Sequence, residues 1–292
     1  MMKIAVTAAN GKLGSAIIES LIKTHPVNNI IALARSPIKA QFLIEQYGVE
    51  VRAGDYDDAR QLEVSLQGVD AVLLVSSMDE PDKRIGQHRN VIASAKKSGV
   101  TKIVYTSIQG SSTQAAFAPI VQSNLQTEQD IKDSGLDWVI GRNGIYIEPD
   151  VDYIDSYKAQ GVIVNCAGEG RCGYTTHKEL AIAYGQMLTD ATHHANIYNL
   201  NGNPITQQQL TQYLNEAFDT ALTYRSMTVD AYRQDRINEL GQFMGTVVAG
   251  IYEQISIGAM DNDSDFAKAA GREHIGWADY FDQLKNSKLT DQ

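Results

Sequence analysis

Along the first half of the chain, short apolar runs alternate with stretches where apolar residues recur every three or four positions. The runs at 4–7, 30–34, 50–53, 71–75, 103–106 and 138–140 predict strands. Most lack in/out alternation, as expected of parallel strands covered on both faces. Helical spacing at 12–23, 38–47, 59–66, 82–98 and 123–134 fills the gaps between them. Such repeated strand–helix alternation predicts an α/β fold, a Rossmann-type doubly wound parallel sheet. After about residue 145 the rhythm changes. Short extended pieces at 161–165, 196–200 and 222–224 mix with helices at 178–189, 206–217, 229–238 and 240–257. A smaller helix-rich C-terminal domain follows from this. The expected division is 1–148 and 149–292, with the chain crossing between the two. The polar run at 109–114 reads as a loop at the working edge of the sheet.

The first strand opens straight into TAANGKLG, residues 7–14, and then into a helix with an apolar stripe at Leu13, Ile17 and Leu21. A turn of this kind lets backbone N–H groups and the positive end of a helix dipole approach a pyrophosphate. The candidate contacts are Ala9, Asn10, Gly11, Lys12, Leu13 and Gly14. Gly11 permits close backbone approach, and Gly14 permits close packing of helix on strand. Where a first glycine is expected stands Ala8, whose methyl is tolerated if the backbone keeps φ negative.

Arg35 ends the second strand, 21 positions after Gly14, where a dinucleotide's adenosine ribose is met. A forked cation there favours a 2′-phosphate and so NADP over NAD. Ser36 and Lys39 stand beside it, and no acid is close in sequence. Asp55 is the candidate acceptor for the adenine amino group, while Asp57 equally suits a helix cap. Ser76, Ser77 and Met78 leave room beside the nicotinamide ribose, and Asn143 with the conformationally free Gly144 suits the nicotinamide. Tyr146 is the candidate placed over the substrate crevice.

Composition narrows the partners. A formal net charge of -10 over 292 residues argues against nucleic acid, whose phosphates need clustered Lys and Arg. Cys166 and Cys172 read as free thiols of a reducing compartment. The start runs directly into a strand and no long apolar run follows, so a cytoplasmic protein without a membrane partner is expected. The six histidines show no metal spacing, so no metal is expected. His88 is expected to pack on or bond the sheet, and His193-His194 to form a solvated helix end. Tyr153, Tyr157 and Tyr174 suit either an aromatic crevice or a domain seam. Phe243, Val247, Ile251 and Ile255 read as core.

No tyrosine-x-x-x-lysine pair follows the fifth strand. Tyr105 is followed by Gln109, and no lysine then appears before Lys132. The acid–base pair for alcohol oxidation is therefore missing, and no catalytic residue is assigned. A quinone or cationic dye accepts hydride readily and needs chiefly positioning.

Taken together, these residues resemble the NmrA-like branch of atypical short-chain dehydrogenases. The likeness is greatest to flavin-free NADPH:quinone oxidoreductases and triphenylmethane-dye reductases. The text that carries it is VTAANGKLG (6–14), ALARSPIKA (32–40), GDYDD (54–58), LLVSS (73–77), QHRNVI (87–92), YTS (105–107), TE (127–128), RNGIY (142–146) and AGEG (167–170). The resemblance implies NADPH along the carboxyl edge of the sheet and a substrate crevice between a Rossmann domain and a small C-terminal domain, with Ser107 and Asn124 joining Tyr146 in the lining of the substrate pocket. It implies a reductase passing hydride to a quinone or similar electrophilic aromatic. A redox-sensing regulator that binds NADP(H) without turnover is the alternative, and a homodimer is left open. Three departures stand out: Ala8 for glycine, Asn124 for a common histidine, and HKELA (177–181) for an arginine-led segment. His177 there either replaces the arginine's ligand contact or caps the next helix.

Overall fold

The computed structural model describes residues 2–290, with side chains through residue 287. In chain order the first half contains β1 (Ile4–Val6), α1 (Lys12–Leu21), β2 (Ile30–Ala34), α2 (Gln41–Tyr47), β3 (Glu50–Ala53) and α3 (Ala59–Ser65). It continues with β4 (Ala71–Leu74), α4 (Pro81–Lys97), β5 (Lys102–Ile108), α5 (Ala118–Lys132) and β6 (Asp137–Asn143). Then come β7 (Ile145–Tyr146), α6 (Glu148–Asp152), α7 (Ile154–Gln160), β8 (Val162–Asn165), β9 (Arg171–Cys172) and β10 (Tyr174–Thr175). The chain continues through α8 (His177–Thr189), β11 (Asn196–Leu200), β12 (Ile205–Thr206), α9 (Gln207–Phe218) and β13 (Thr223–Ser226). It closes with α10 (Val229–Leu240), α11 (Gln242–Ser256), α12 (Phe266–Ala270) and α13 (Trp277–Thr290).

Seven of the strands form one sheet in the order β11-β6-β5-β4-β1-β2-β3. Every pair in it is parallel. The order reverses direction at β1, and in open α/β sheets ligands bind at that switch point, outside the carboxyl ends of the strands. Ile4 and Val6 of β1 face a core closed by α1, α8 and α12, whereas Ala5 faces the core beneath α3, α4 and α5. Both faces are covered, which is why these strands read as continuous apolar runs. The second half does not stay apart: α8 packs on α1, and β11 extends the sheet beside β6. A separate core joins the remaining C-terminal elements around Ile147, Ile163, Leu214 and Trp277.

The differences from the sequence reading have local causes. β5 and β6 run past their apolar stretches, pairing Ser107 with Arg142 and Ile108 with Asn143. Their polar ends are strand because the backbone ladder between β5 and β6 continues past the apolar residues, and the loop expected at 109–114 begins only after it. Helix α5 begins at Ala118, five residues before the expected start at 123, with Pro119 in its first turn. The break between the helices expected at 229–238 and 240–257 lies two residues later: α10 ends at Leu240, and Gly241 at φ +81° turns the chain into α11. Asp58 caps α3, taking the role offered to Asp57. His193 is buried and meets the Tyr198 hydroxyl at 2.9 Å, so only His194 lies at a solvated end. Ala8 adopts φ +47°, contrary to the negative φ its methyl favours. The chain must reverse there so that Gly11 N–H reaches Ala8 O at 2.9 Å, at a cost of about 1–2 kcal/mol.

Asp150 of α6 is buried in the second core, where the hydroxyls of Tyr157 and Tyr252 donate to it at 3.0 and 3.1 Å. Tyr157 and Tyr174 therefore belong to this seam rather than to an aromatic crevice. Burial raises the Asp150 carboxyl from 3.8 to about 6, against the pull of the tyrosine hydrogen bonds. The folded protein holds this proton more tightly than the unfolded chain. The resulting stability is full below about pH 4 and is lost as pH rises through about 6, an effect on the order of 3 kcal/mol. Asp150→Asn keeps an acceptor for both tyrosines without the charge. Its melting temperature should gain several degrees on wild type between pH 4 and pH 7, measured by differential scanning calorimetry; a constant difference would contradict this.

Candidate cofactor and acceptor site

Gly14 brings α1 against the first turn. A Cβ added there would lie 2.5 Å from Ala8 O and 2.9 Å from Ala9 Cα. Only glycine lets the helix start this close to β1. Gly11 is the N-cap of α1 and brings no side-chain cap. The first-turn N–H groups of a helix have no acceptor within it, so here they open toward the crevice. Gly11, Lys12, Leu13 and Gly14 line that crevice. Ala9 does not: it is fully buried, and its N–H donates to Leu33 O at 3.0 Å. Lys12 reaches across to Asp152 at 3.0 Å.

A first hollow of about 390 Å³ extends from this turn across the ends of β2 and β3. Asn10, Arg35, Ser36, Lys39 and Asp55 line it, so the adenosine-end candidates are brought together. Arg35 and Lys39 are exposed, and neither has an ion pair among the described residues. Asp79 stands near enough for Arg35 to help hold its carboxyl below the ordinary range. That corrects the expectation of an acid-free neighbourhood, since the sheet edge brings Asp79 in from the end of β4. The larger causes of that lowering are Gln87, which donates to Asp79 at 2.6 Å, and Lys83 at 3.2 Å. Arg35, without an ion pair to Asp79, is open to another anion.

The second hollow, of about 420 Å³, shares Ala8, Ser76, Ser77 and Met78 with the first. It runs over the ends of β5 and β6, past Ser107, Asn124, Asn143, Gly144 and Tyr146. Gly144 is needed for close approach rather than for conformational freedom, because a Cβ there would strike Gly173 O. The polar groups along this edge are already committed. Ser107 donates to Glu128 at 2.7 Å, and Arg142 clamps the same carboxylate at 2.9 and 2.8 Å. Asn124 Oδ1 accepts from Tyr105 at 2.6 Å and from Ser76 at 3.0 Å, while its Nδ2 donates to Ile120 O. Asn143 Oδ1 accepts from Tyr184 at 2.6 Å, and Asn143 Nδ2 donates to the Tyr146 hydroxyl at 3.2 Å. Burial pushes the Tyr146 phenol up to about 12, so it keeps its proton and can donate it as a hydrogen bond. His177 does not cap α8, a role taken by Thr176; its ring lies against Tyr146 at 4.4 Å and its Nδ1 meets Glu148 at 2.9 Å.

Several lining residues escaped the sequence reading. Phe117 and Ile120 of the α5 region and Phe243, Met244, Val247 and Ile251 of α11 form an apolar wall. Their helical spacing is the same signal that marks core, and only Ile255 of the expected core stripe is fully buried. Gln87 and His88 follow the β4 loop. His88 Nε2 accepts the Ser77 N–H at 2.9 Å, and Nδ1 meets Thr127 Oγ1 at 2.9 Å. Burial, reinforced by the Arg84 charge, lowers His88 to about 3, so it holds the loop as a neutral ring. Among the described residues no cluster suits a metal ion, and no helix is long and apolar enough to cross a membrane.

Comparison with known proteins agrees with this geometry. A family model described as NAD(P)H-binding matches residues 8–160. Quinone oxidoreductase 2 of Escherichia coli is 38% identical over 77% of this chain and 78% of its own length. An NmrA-like family domain-containing oxidoreductase of Aspergillus flavus is 28% identical over 97% and 95%. The structure of Citrobacter sp. triphenylmethane reductase with NADP(H) superposes with a TM-score of 0.89, at 31% identity, covering 97% of this chain and 100% of that one. The uncapped glycine turn, the switch-point crevice and these likenesses agree, and the chain belongs to the NAD(P)H-binding family, in its NmrA-like branch.

Proposed function

We propose that this protein is an NADPH-dependent reductase that delivers hydride to a quinone or similar electrophilic aromatic. One observation carries the reading: a single crevice joins an uncapped helix start to an apolar wall, and no tyrosine-x-x-x-lysine pair follows β5. The nearest tyrosine to the usual position, Tyr105, is buried and donates to Asn124. The related structures named for NADPH and NADP(H) complexes support the choice of cofactor. In this reading residues 1–148 hold the cofactor and 149–292 supply the acceptor wall, with α8 and β11 crossing back to the sheet. A cytoplasmic setting suits the two buried free thiols.

The chain's own residues then have distinct tasks. The amides of Gly11, Lys12, Leu13 and Gly14 take the diphosphate, and Asn10 borders it. Arg35 and Lys39 take the 2′-phosphate, and Asp55 accepts from the adenine. Ser76, Ser77 and Met78 border the nicotinamide ribose; Asn143 and Gly144 border the nicotinamide. NADPH, when bound, supplies a hydride. The apolar wall of Phe243, Val247 and Ile251 excludes water and orients a flat acceptor. Tyr146 offers a neutral O–H to the acceptor's oxygen, and Ser107 and Asn124 keep that edge rigid. Positioning of this kind is the main requirement for an acceptor that is already electrophilic.

Three measurements test the reading. NADPH should raise the melting temperature more than NADH at equal excess, a saturating ligand at one hundred times its Kd adding about 2.7 kcal/mol. Arg35→Ala should weaken NADPH binding roughly 10- to 100-fold while leaving NADH within about twofold. Equal binding of both cofactors by wild type would overturn the role given to Arg35. Small quinones should then stimulate NADPH oxidation, followed at the nicotinamide absorbance band. Tight NADPH binding with no turnover across a quinone and dye panel would instead support the sensing regulator.

A further inference from the structure

Arg84, in the first turns of α4, is 5% exposed and lines the crevice beside Ser77, Ile120 and Asn124. Among the described residues its guanidinium has neither an ion pair nor a hydrogen bond, and its Nε is buried without a partner. A buried charge in that condition is costly unless something pairs with it. The protein's own candidates are spoken for. Asp79 is held by Gln87 and Lys83. Ser77 Oγ donates to Gln87, and Asn124 Oδ1 already accepts from Tyr105 and Ser76. His88, one turn along α4, is neutral and accepts from Ser77 N–H.

The cofactor's diphosphate is a poor match for this cation. Helix α1, whose first turn suits the diphosphate, packs on one face of the sheet; α4 packs on the other. The wall around Arg84 is the α4–α5 side, and the remaining lining toward α11 is apolar: Phe117, Ile120, Val247 and Ile251. One isolated guanidinium in an aromatic-sized apolar hollow is a recognition element for a flat ring with one acidic oxygen substituent.

We propose that Arg84 is the anion subsite of the acceptor pocket, selecting planar aromatic acceptors that bear a carboxylate, sulfonate or ionised phenol. This rests on the second hollow being the acceptor pocket, as argued above.

The test is an equilibrium titration, so it does not depend on turnover. Anthraquinone-2-sulfonate and its neutral 2-sulfonamide are titrated calorimetrically into the full-length protein, into Arg84→Gln and into Arg84→Lys. Wild type should prefer the sulfonate. Arg84→Gln should weaken the sulfonate about 10- to 100-fold and leave the sulfonamide within about twofold, whereas Arg84→Lys should retain most of the preference. The melting temperature of Arg84→Gln should equal or exceed that of wild type, and its rise with NADPH should be unchanged. No sulfonate preference in wild type, or equal loss of both probes, overturns the proposal. A lowered melting temperature without ligand also overturns it, because Arg84 would then be structural. Loss of the NADPH-induced rise overturns it in favour of a cofactor phosphate contact. Failure of the reductase reading shows separately, as absent turnover with the sulfonate preference intact.

Discussion

The working edge of this protein depends on how closely α1 can approach the turn after β1. Gly14 sits against the Ala8 carbonyl and the Ala9 backbone, where any side chain would force the helix away. The turn pays for that contact with a left-handed alanine. In return the first-turn amides of α1 point over the sheet edge with no side-chain cap to occupy them. Thr7 reinforces the same corner. Its hydroxyl donates to Leu73 O at 2.9 Å and accepts from Val75 N–H at 2.9 Å, tying β1 to β4 at the switch point. Everything that lines the crevice is placed relative to that corner.

Along the rest of the edge, rigidity comes from polar groups that satisfy one another. Glu128 is nearly fully buried, yet Ser107 and a bidentate Arg142 give it strong partners. Tyr184 reaches up from α8 to both Gly141 O and Asn143 Oδ1. Such closed networks hold the strand ends in one geometry and leave few free donors to face a ligand. That arrangement suits a reaction governed by placement and exclusion of water more than one governed by proton transfer from a tuned side chain.

Three buried ionisable groups show different physical solutions. His88 gives up its charge and serves as a neutral hydrogen-bonding bracket for the β4 loop. Asp150 keeps two phenolic donors, which only partly offset its desolvation. Arg84 can do neither, because a guanidinium does not deprotonate near neutral pH, and Asp79, the anion whose charge reaches it, forms no ion pair with it. Its unpaired state therefore points outward, to what enters the crevice, whereas the other two are explained within the fold.

The chain's pattern by itself determined the parallel sheet and its nucleotide corner. Continuous apolar runs mark strands buried on both faces, and TAANGKLG with Arg35 at the next strand end is a local signal that survives without any partner element. Asn143 and Tyr146 were legible as crevice lining because they closely follow the apolar run at 138–140. Tertiary structure alone decided the rest. It turned the helical stripe of Phe243, Val247 and Ile251 from core into a crevice wall, because periodicity reports an apolar face but not what the face meets. It brought Asp79 toward Arg35, moved the α8 cap to Thr176, and left Arg84 buried without an ion pair. Each of these depends on which groups from distant segments end up neighbours, and charge pairing across space has no period for a sequence to display.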